Sequence, residues 1–305
     1  MRNTFVKTLF EIAKKDKNVI LITGDLGYNV FEEYKKELPN QYINIGVCEQ
    51  NMIGVSAGLA HEGKKVFAYS IVPFATLRCL EQIRNDVAYH NLPVVIVGVG
   101  GGYSYGMLGA THHAIEDYGI LKTIPNMTIV CPGDPIEVES AVCEFYRIKG
   151  CGYLRLARSG EPDIHKRPIS FSFGTPIIVT SGKDISIIST GGVLELALEA
   201  VNELKNLGIE AELISVHTIK PLQWDIILNS IKKTGNVITI EEHNIIGGFG
   251  QDVATMMYRN SIQARFMNLG IQDKFMHVVG SQSYLRDCNN INQKSIVEQS
   301  LKWLK

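Results

Sequence analysis

The chain reads as an α/β protein built from two doubly wound domains with mostly parallel sheets. Three observations predict this. Short apolar runs of strand length alternate with stretches whose apolar residues recur at helical spacing. The alternation stops at a polar segment containing Pro162 and Pro168 and then starts again. A length of 305 residues supplies about two domains, each with a core of its own. The boundaries that follow are residues 1–160 for the first domain, 161–178 for a linker and 179–305 for the second.

Taken in order, Thr4–Lys14 carries Phe5, Leu9, Ile12 and Ala13 at helical spacing, and "NVILITGD" is a buried strand ending in a loop at Gly24-Asp25. "KKVFAYS" is a second strand. "LRCLEQIRNDVAYH" predicts one helix with Leu80, Ile83 and Val87 on its apolar face, and "LPVVIVGVG" predicts a third strand entering a glycine-rich loop over Gly98–Gly109. "MTIVCPGDPIEVESAVCEFY" gives strand, turn and helix. The linker-like composition runs from Ser159 to Gly174. Beyond it come the strand "DISIIST", a helix over Val193–Leu207, the strand "IEAELISV", a helix over Gln223–Ile231, the strand "NVITIEE", and a turn into a helix at "GGFGQDVATMMYRN". No repeat and no low-complexity segment interrupts the pattern.

Composition excludes several classes of function. Thirty basic residues against 31 acidic ones give a net charge of −1, with no long run of either sign, so nothing asks for nucleic acid or an anionic membrane as partner. The first residues lack the apolar stretch of a signal peptide, and no apolar run reaches the roughly 18 residues of a membrane span. Six scattered cysteines without a C-x-x-C pair read as reduced thiols of a cytoplasmic protein. Cys48 lacks an evident base to activate it as a nucleophile.

In parallel sheets chemistry gathers in the loops at the carboxyl ends of strands, here the loops after Thr23, Tyr69, Val99 and Val130. Close by stands an anomaly. Glu49, in "GVCEQNMIGVSAGLAHEG", precedes a run of small and apolar residues suited to dry packing. A carboxylate there must be solvated, paired or neutralised. Its plain reading is an acid at a helix start, favoured by the helix dipole.

Four motifs occur in order: "IGVCEQNMIG" (45–54), "PFATLRCLEQIRNDVAYHNLPV" (73–94), "GATHHAIEDYGILKTIPNMTIVCPGDP" (109–135) and "TIKPLQWD" (218–225). Together they resemble the C-terminal half of transketolase, namely its pyrimidine-binding domain followed by the transketolase C-terminal domain. The resemblance covers nearly the whole chain. It implies thiamine diphosphate as cofactor and assigns Glu49 a catalytic role, hydrogen-bonding the aminopyrimidine ring and exchanging a proton with it. A buried carboxyl suits that task better than a solvated one. The resemblance further implies that Phe74 stacks on the pyrimidine, that His112 faces the substrate, and that Asp25 and Leu26 line the cofactor after the first strand. His113 stands where the family usually has an amide.

Two features depart from the family. Its diphosphate is held through Mg²⁺ by a Gly-Asp-Gly motif and a later Asn; the Gly-Asp pairs here, at Gly24 and Gly133, are not followed by glycine. The resemblance therefore implies a split enzyme: Mg²⁺ and the diphosphate belong to an N-terminal transketolase subunit, and the two chains form a heterotetramer. The small-residue face at Gly54, Ser56, Ala57 and Gly58 would suit either close approach at a subunit contact or tight internal packing. The second departure concerns substrate. Leu108 stands where the family has an aspartate that contacts a donor hydroxyl, and Gly100 where it has a phosphate-facing histidine. Arg2 and Arg158 match arginines that contact phosphate, and Tyr103 and Tyr105 are positioned by sequence to line a reshaped pocket. Three readings follow: an enzyme subunit moving a two-carbon ketol unit between sugar-like substrates; a subunit of a thiamine enzyme of the 2-oxo acid or deoxyxylulose-synthase type; and a non-catalytic stabilising partner.

Overall fold

The computed structural model describes residues 1–27, 29–158 and 160–304. Ser159, where the linker-like composition begins, lies outside them. The first half builds a sheet from β1 (Val19–Thr23), β2 (Tyr42–Asn44), β3 (Lys65–Ile71), β4 (Val94–Val99), β5 (Thr128–Val130) and β6 (Gly152–Leu156). A seventh strand, β10 (Thr218–Lys220), comes from the second half, and the order across the sheet is β10-β5-β6-β4-β3-β1-β2. All pairings are parallel except β10 against β5, where Thr218 faces Val130. The second sheet runs β12-β11-β8-β9-β7, from β7 (Ile177–Thr180), β8 (Ile185–Thr190), β9 (Ala211–Ser215), β11 (Asn236–Asn244) and β12 (Arg265–Ile271). Only its edge strand β7 is antiparallel. Because β7 starts at Ile177, the second sheet begins inside the expected linker.

The parallel strands are apolar on both faces because helices cover both. β1, β4 and β6 are buried at every position. Helices Arg2–Ala13 and Pro135–Arg147 lie on one side of the first sheet, with Phe5, Leu9, Val138 and Phe145 in that core. Helix Glu49–His61 covers the other side, and there the core continues without interruption into the second half through Ile214, Ile219, Phe249 and Val253. A third core on the far face of the second sheet takes in Tyr103 and Ile115 of the first half. No described helix is long and apolar enough to cross a membrane.

The segment read as one helix over Leu77–His90 is broken. A single α turn (Val72–Ala75) is followed by a 3₁₀ turn (Leu77–Cys79), a short α turn (Leu80–Gln82) and a π-helical stretch (Ile83–Ala88). Side chains compete for the backbone here: Thr76 Oγ1 donates to the Val72 carbonyl at 2.6 Å, and Cys79 Sγ to the Phe74 carbonyl at 3.1 Å. The wider π turn still buries Ile83, Val87 and Ala88. Within Glu49–His61 the small residues divide. Ser56 and Ala57 are buried, whereas Gly54 and Gly58 are exposed and a Cβ at either would meet nothing within 4 Å. The two glycines are therefore not there for internal packing.

A polar latch ties the linker to both halves. Asp134 caps helix Pro135–Arg147 by accepting from the Glu137 amide at 2.8 Å, and its other oxygen accepts from the amides of Ile164 and His165 at 2.9 Å each. Glu137 accepts from Gly133 N at 2.5 Å, from His165 Nε2 at 2.7 Å and from Ser215 Oγ at 2.6 Å. Although these acids and His165 lie close enough together to hold an ion, each carboxylate oxygen is already engaged by protein donors.

Candidate active site

The carboxyl ends of β1, β2 and β3 meet at Glu49. The loop after β2 delivers Glu49 as the first residue of its helix, at the positive end of the helix dipole, and the side chain is 2% exposed. Ser70, near the end of β3, donates to Oε1 at 3.2 Å, and Arg78 Nη1 donates to Oε2 at 2.7 Å. Gly24, after β1, lies against the same carboxylate; a Cβ there would be 3.4 Å from it. The anomalous acid is thus buried and paired.

Arg78 carries the arrangement onward. Its guanidinium carbon sits 4.4 Å from the centre of the Phe74 ring, a cation–π contact. The Phe74 ring meets the His112 ring edge-on with centres 5.1 Å apart. Glu49, Arg78, Phe74 and His112 therefore form one continuous group, reached from three different loops. Thr111 Oγ1 lies 2.9 Å from His112 Nδ1, and partial burial together with neighbouring His113 lowers the pKa of His112. His113 points the other way: it is buried, with Nε2 3.3 Å from the Gly106 carbonyl and its ring against Tyr103.

The loop that carries His112 is anchored from beneath by a buried ion pair. Arg155, on β6, donates to Asp117 through Nε (2.8 Å) and Nη2 (3.2 Å), and Nη2 also donates to the carbonyls of Ala114 (2.7 Å) and Glu242 (3.0 Å). Tyr153 OH donates to Asp117 at 2.6 Å. Ala114, two positions beyond His112, is thereby fixed to the first sheet and to the second half together.

A second group lies in a cleft of about 460 Å³ lined by Ser104, Tyr105, Leu108, Arg158 and Gln282. Arg158 stands over the Tyr105 ring at 5.6 Å, and Arg2 is near enough for its charge, with that of Arg158, to oppose the burial that raises the Tyr105 pKa. Gly100 has φ +91°, and a Cβ on it would lie 2.2 Å from the Tyr105 ring, so that ring occupies the space a side chain at position 100 would need. Leu108 is 54% exposed.

The remaining expectations fall elsewhere. Tyr103, expected in the pocket, is fully buried in the core of the second half. Asn289 donates to its hydroxyl at 3.3 Å, and its amide donates to Glu242 at 2.9 Å. It lines no cleft. The reason is the tight loop: Gly102 and Ala114 pair as a short bridge that turns Tyr103 inward and leaves Tyr105 outward. Asp25 is exposed with φ +55°, and its carboxylate accepts from Asn44 Nδ2 at 2.8 Å; Leu26 lies beside it, half-buried. No described contact joins either to Glu49. Sequence reasoning overlooked Arg78, Ser70, Asp117 and Arg155. The available signals were the four-residue spacing from Phe74 to Arg78 and an arginine inside the apolar strand "GYLRL".

Residues 1–160 match the transketolase pyrimidine binding domain and residues 174–291 the transketolase C-terminal domain. The chain is 35% identical over 306 residues to one of the subunits of an apulose-4-phosphate transketolase from Phocaeicola vulgatus, covering 100% of this chain and 97% of that one. It is also 35% identical to the 6-deoxy-6-sulfo-D-fructose transketolase subunit SqwH of a Clostridium species, over 97% of this chain and 92% of the relative. Among solved structures, a split-gene transketolase in the form of an inactive beta4 tetramer superposes with a TM-score of 0.90 at 30% identity, covering 99% of this chain and 97% of that one. Matched by two family models in succession and by subunit-length relatives end to end, the chain belongs to the transketolase family.

Proposed function

We propose that this chain is the pyrimidine-side subunit of a two-chain transketolase that moves a two-carbon ketol unit between sugar-derived substrates. The observation that carries the reading is the group Glu49–Arg78–Phe74–His112 at the carboxyl edge of a parallel sheet. The family uses thiamine diphosphate, and the residues fit its ring. A planar cation bearing N–H groups already lies between the Phe74 face and the Glu49 carboxylate. Bound there, the cofactor would supply the carbanion chemistry. The chain's own part is to orient and to handle protons. Glu49 holds or releases a proton at Oε2 in a site screened from water, Phe74 gives an aromatic face, and His112 offers a ring nitrogen to substrate oxygens.

The diphosphate and Mg²⁺ are assigned to a partner subunit. The two Gly-Asp aspartates are otherwise employed: Asp25 pairs with Asn44, and Asp134 is a buried helix cap. The donor we infer is a ketose with a terminal anionic group, since Arg2 and Arg158 flank Tyr105 and relatives are named for a phosphorylated and a sulfonated sugar. The test is calorimetric titration with thiamine diphosphate and Mg²⁺, then turnover of a ketose panel, each with and without the complementary subunit. Binding and turnover are expected only from the mixture. Micromolar binding by the isolated chain would remove the basis for a split site.

A further inference from the structure

The Arg78 guanidinium touches the two groups to which the proposed function gives the cofactor ring. Nη1 donates to Glu49 Oε2 at 2.7 Å while Cζ lies 4.4 Å from the Phe74 ring centre. A guanidinium has a flat face that stacks on aromatics and an edge of N–H donors that meets carboxylates. An aminopyrimidine ring that bonds Glu49 and stacks on Phe74 needs the same two surfaces. The two partners of the ion pair differ in freedom. Glu49 is 2% exposed and held from below by Ser70, whereas the Arg78 side chain is 44% exposed and springs from a single 3₁₀ turn. Glu49 cannot follow Arg78 outward, but Arg78 can leave for water.

We propose that Arg78 gates the ring slot: in the cofactor-free subunit its guanidinium occupies the place between Phe74 and Glu49, and it swings out when the ring docks. This rests on the reading of Glu49 and Phe74 as the pyrimidine site. The gate has a purpose in a split enzyme. Without it, the subunit would carry a buried, unpaired carboxylate until it met both its partner and its cofactor. Loading then replaces the guanidinium on Glu49 with a flat neutral ring that shares a proton with the carboxyl, taken up from solvent as Arg78 leaves, and the lost contacts of Arg78 are subtracted from the affinity.

The experiment uses the assembled two-subunit enzyme, titrated with thiamine diphosphate and Mg²⁺ by calorimetry and followed by stopped-flow fluorescence. Wild type is compared with Arg78→Ala and Arg78→Gln. Removing a half-buried ion pair and a cation–π contact from the competing state should tighten binding about 5- to 30-fold and speed association. The free Arg78→Ala subunit should melt at a lower temperature than wild type, because Glu49 loses its cation. Equal or weaker cofactor binding by both variants would overturn the gate and make Arg78 a permanent support of the site, with the proposed function intact. If wild-type enzyme binds no thiamine diphosphate, the functional reading falls and the gate with it.

Discussion

Replacing Asp117 by Asn tests how much the buried ion pair beneath the His112 loop stabilises the fold. Asp117 and the Arg155 side chain are 1% and 6% exposed, so solvent screens little of their interaction. The amide keeps the shape but removes the counter-charge from a guanidinium with two hydrogen bonds to the carboxylate and two to carbonyls. Leaving one partner of a buried pair uncompensated costs about 3–5 kcal/mol. The two carbonyl bonds survive, which places the expected loss near the lower figure. With about 2–4 °C per kcal/mol for a chain of this size, the melting temperature should fall by about 6–12 °C. Urea unfolding followed by far-ultraviolet circular dichroism measures the difference. The double variant Asp117→Leu/Arg155→Met supplies the control. Removing both charges together should cost less than the sum of the single changes, by about 1–3 kcal/mol. A single-variant loss below about 1 kcal/mol would refute the argument, as would strict additivity in the cycle.

Further expectations concern the site and the linker. Glu49→Gln should change subunit stability by about 1 kcal/mol or less, because Arg78 is half in water, yet lower turnover of the assembled enzyme by about 10²- to 10⁴-fold; near-wild-type rates would remove Glu49 from the chemistry. Leu108→Asp supplies an acceptor beside the Arg158 cleft and, at a position 54% exposed, should raise kcat/KM about 2- to 10-fold for donors with a hydroxyl in reach, read from a panel of phosphorylated, sulfonated, deoxy and unsubstituted ketoses. An unchanged ranking of the panel would mark Leu108 as neutral. The latch should be pH-dependent. Burial alone would lower the pKa of His165 and raise that of Glu137, but their mutual hydrogen bond and charges reverse both directions. The Glu137 contribution is lost as pH falls through its lowered pKa, and that of His165 as pH rises through its raised one. The melting-temperature gap between wild type and His165→Asn should therefore peak near about pH 5–6 and narrow above the imidazole range. A gap that stays flat across that range would deny the ion pair.

The parts of the site legible in sequence were those whose residue type clashed with its surroundings. Glu49 stood out as an acid at the head of an apolar run, and Phe74 and His112 lay in motifs with their own spacing. Arg78 was in plain view within one of those motifs, but a regular helix over Leu77–His90 would have turned it to solvent. It stands over Phe74 from the 3₁₀ turn at Leu77–Cys79. Asp117 and Arg155 are 38 residues apart and meet only through the sheet, which local periodicity does not encode. Tyr103 and Tyr105 illustrate the limit in a loop. Two residues apart, they point to opposite sides because a two-residue bridge, not a strand period, orients them. At fold level β1, β3, β4, β5, β8, β9 and β11 were legible because burial makes them continuously apolar. The parallel strands β2, β6 and β12 were not legible: β2 and β12 are partly exposed, and a glycine and an arginine interrupt the apolar run of β6. β10 was not, since three residues carry no pattern.

That short strand has a consequence for anyone who cuts the chain at its apparent seam. A fragment ending near residue 160 would retain β5 but lose Thr218–Lys220, the segment that covers its outer edge. The fragment's boundary would then be a row of open amides and carbonyls, a template on which another copy can add itself. Expressed alone, such a piece should accumulate as aggregate even though every helix of its own is present, through this open edge and through the core face that Ile214, Phe249 and Val253 cover in the whole chain. What looks like the second unit's loop is, for the first, its selvedge.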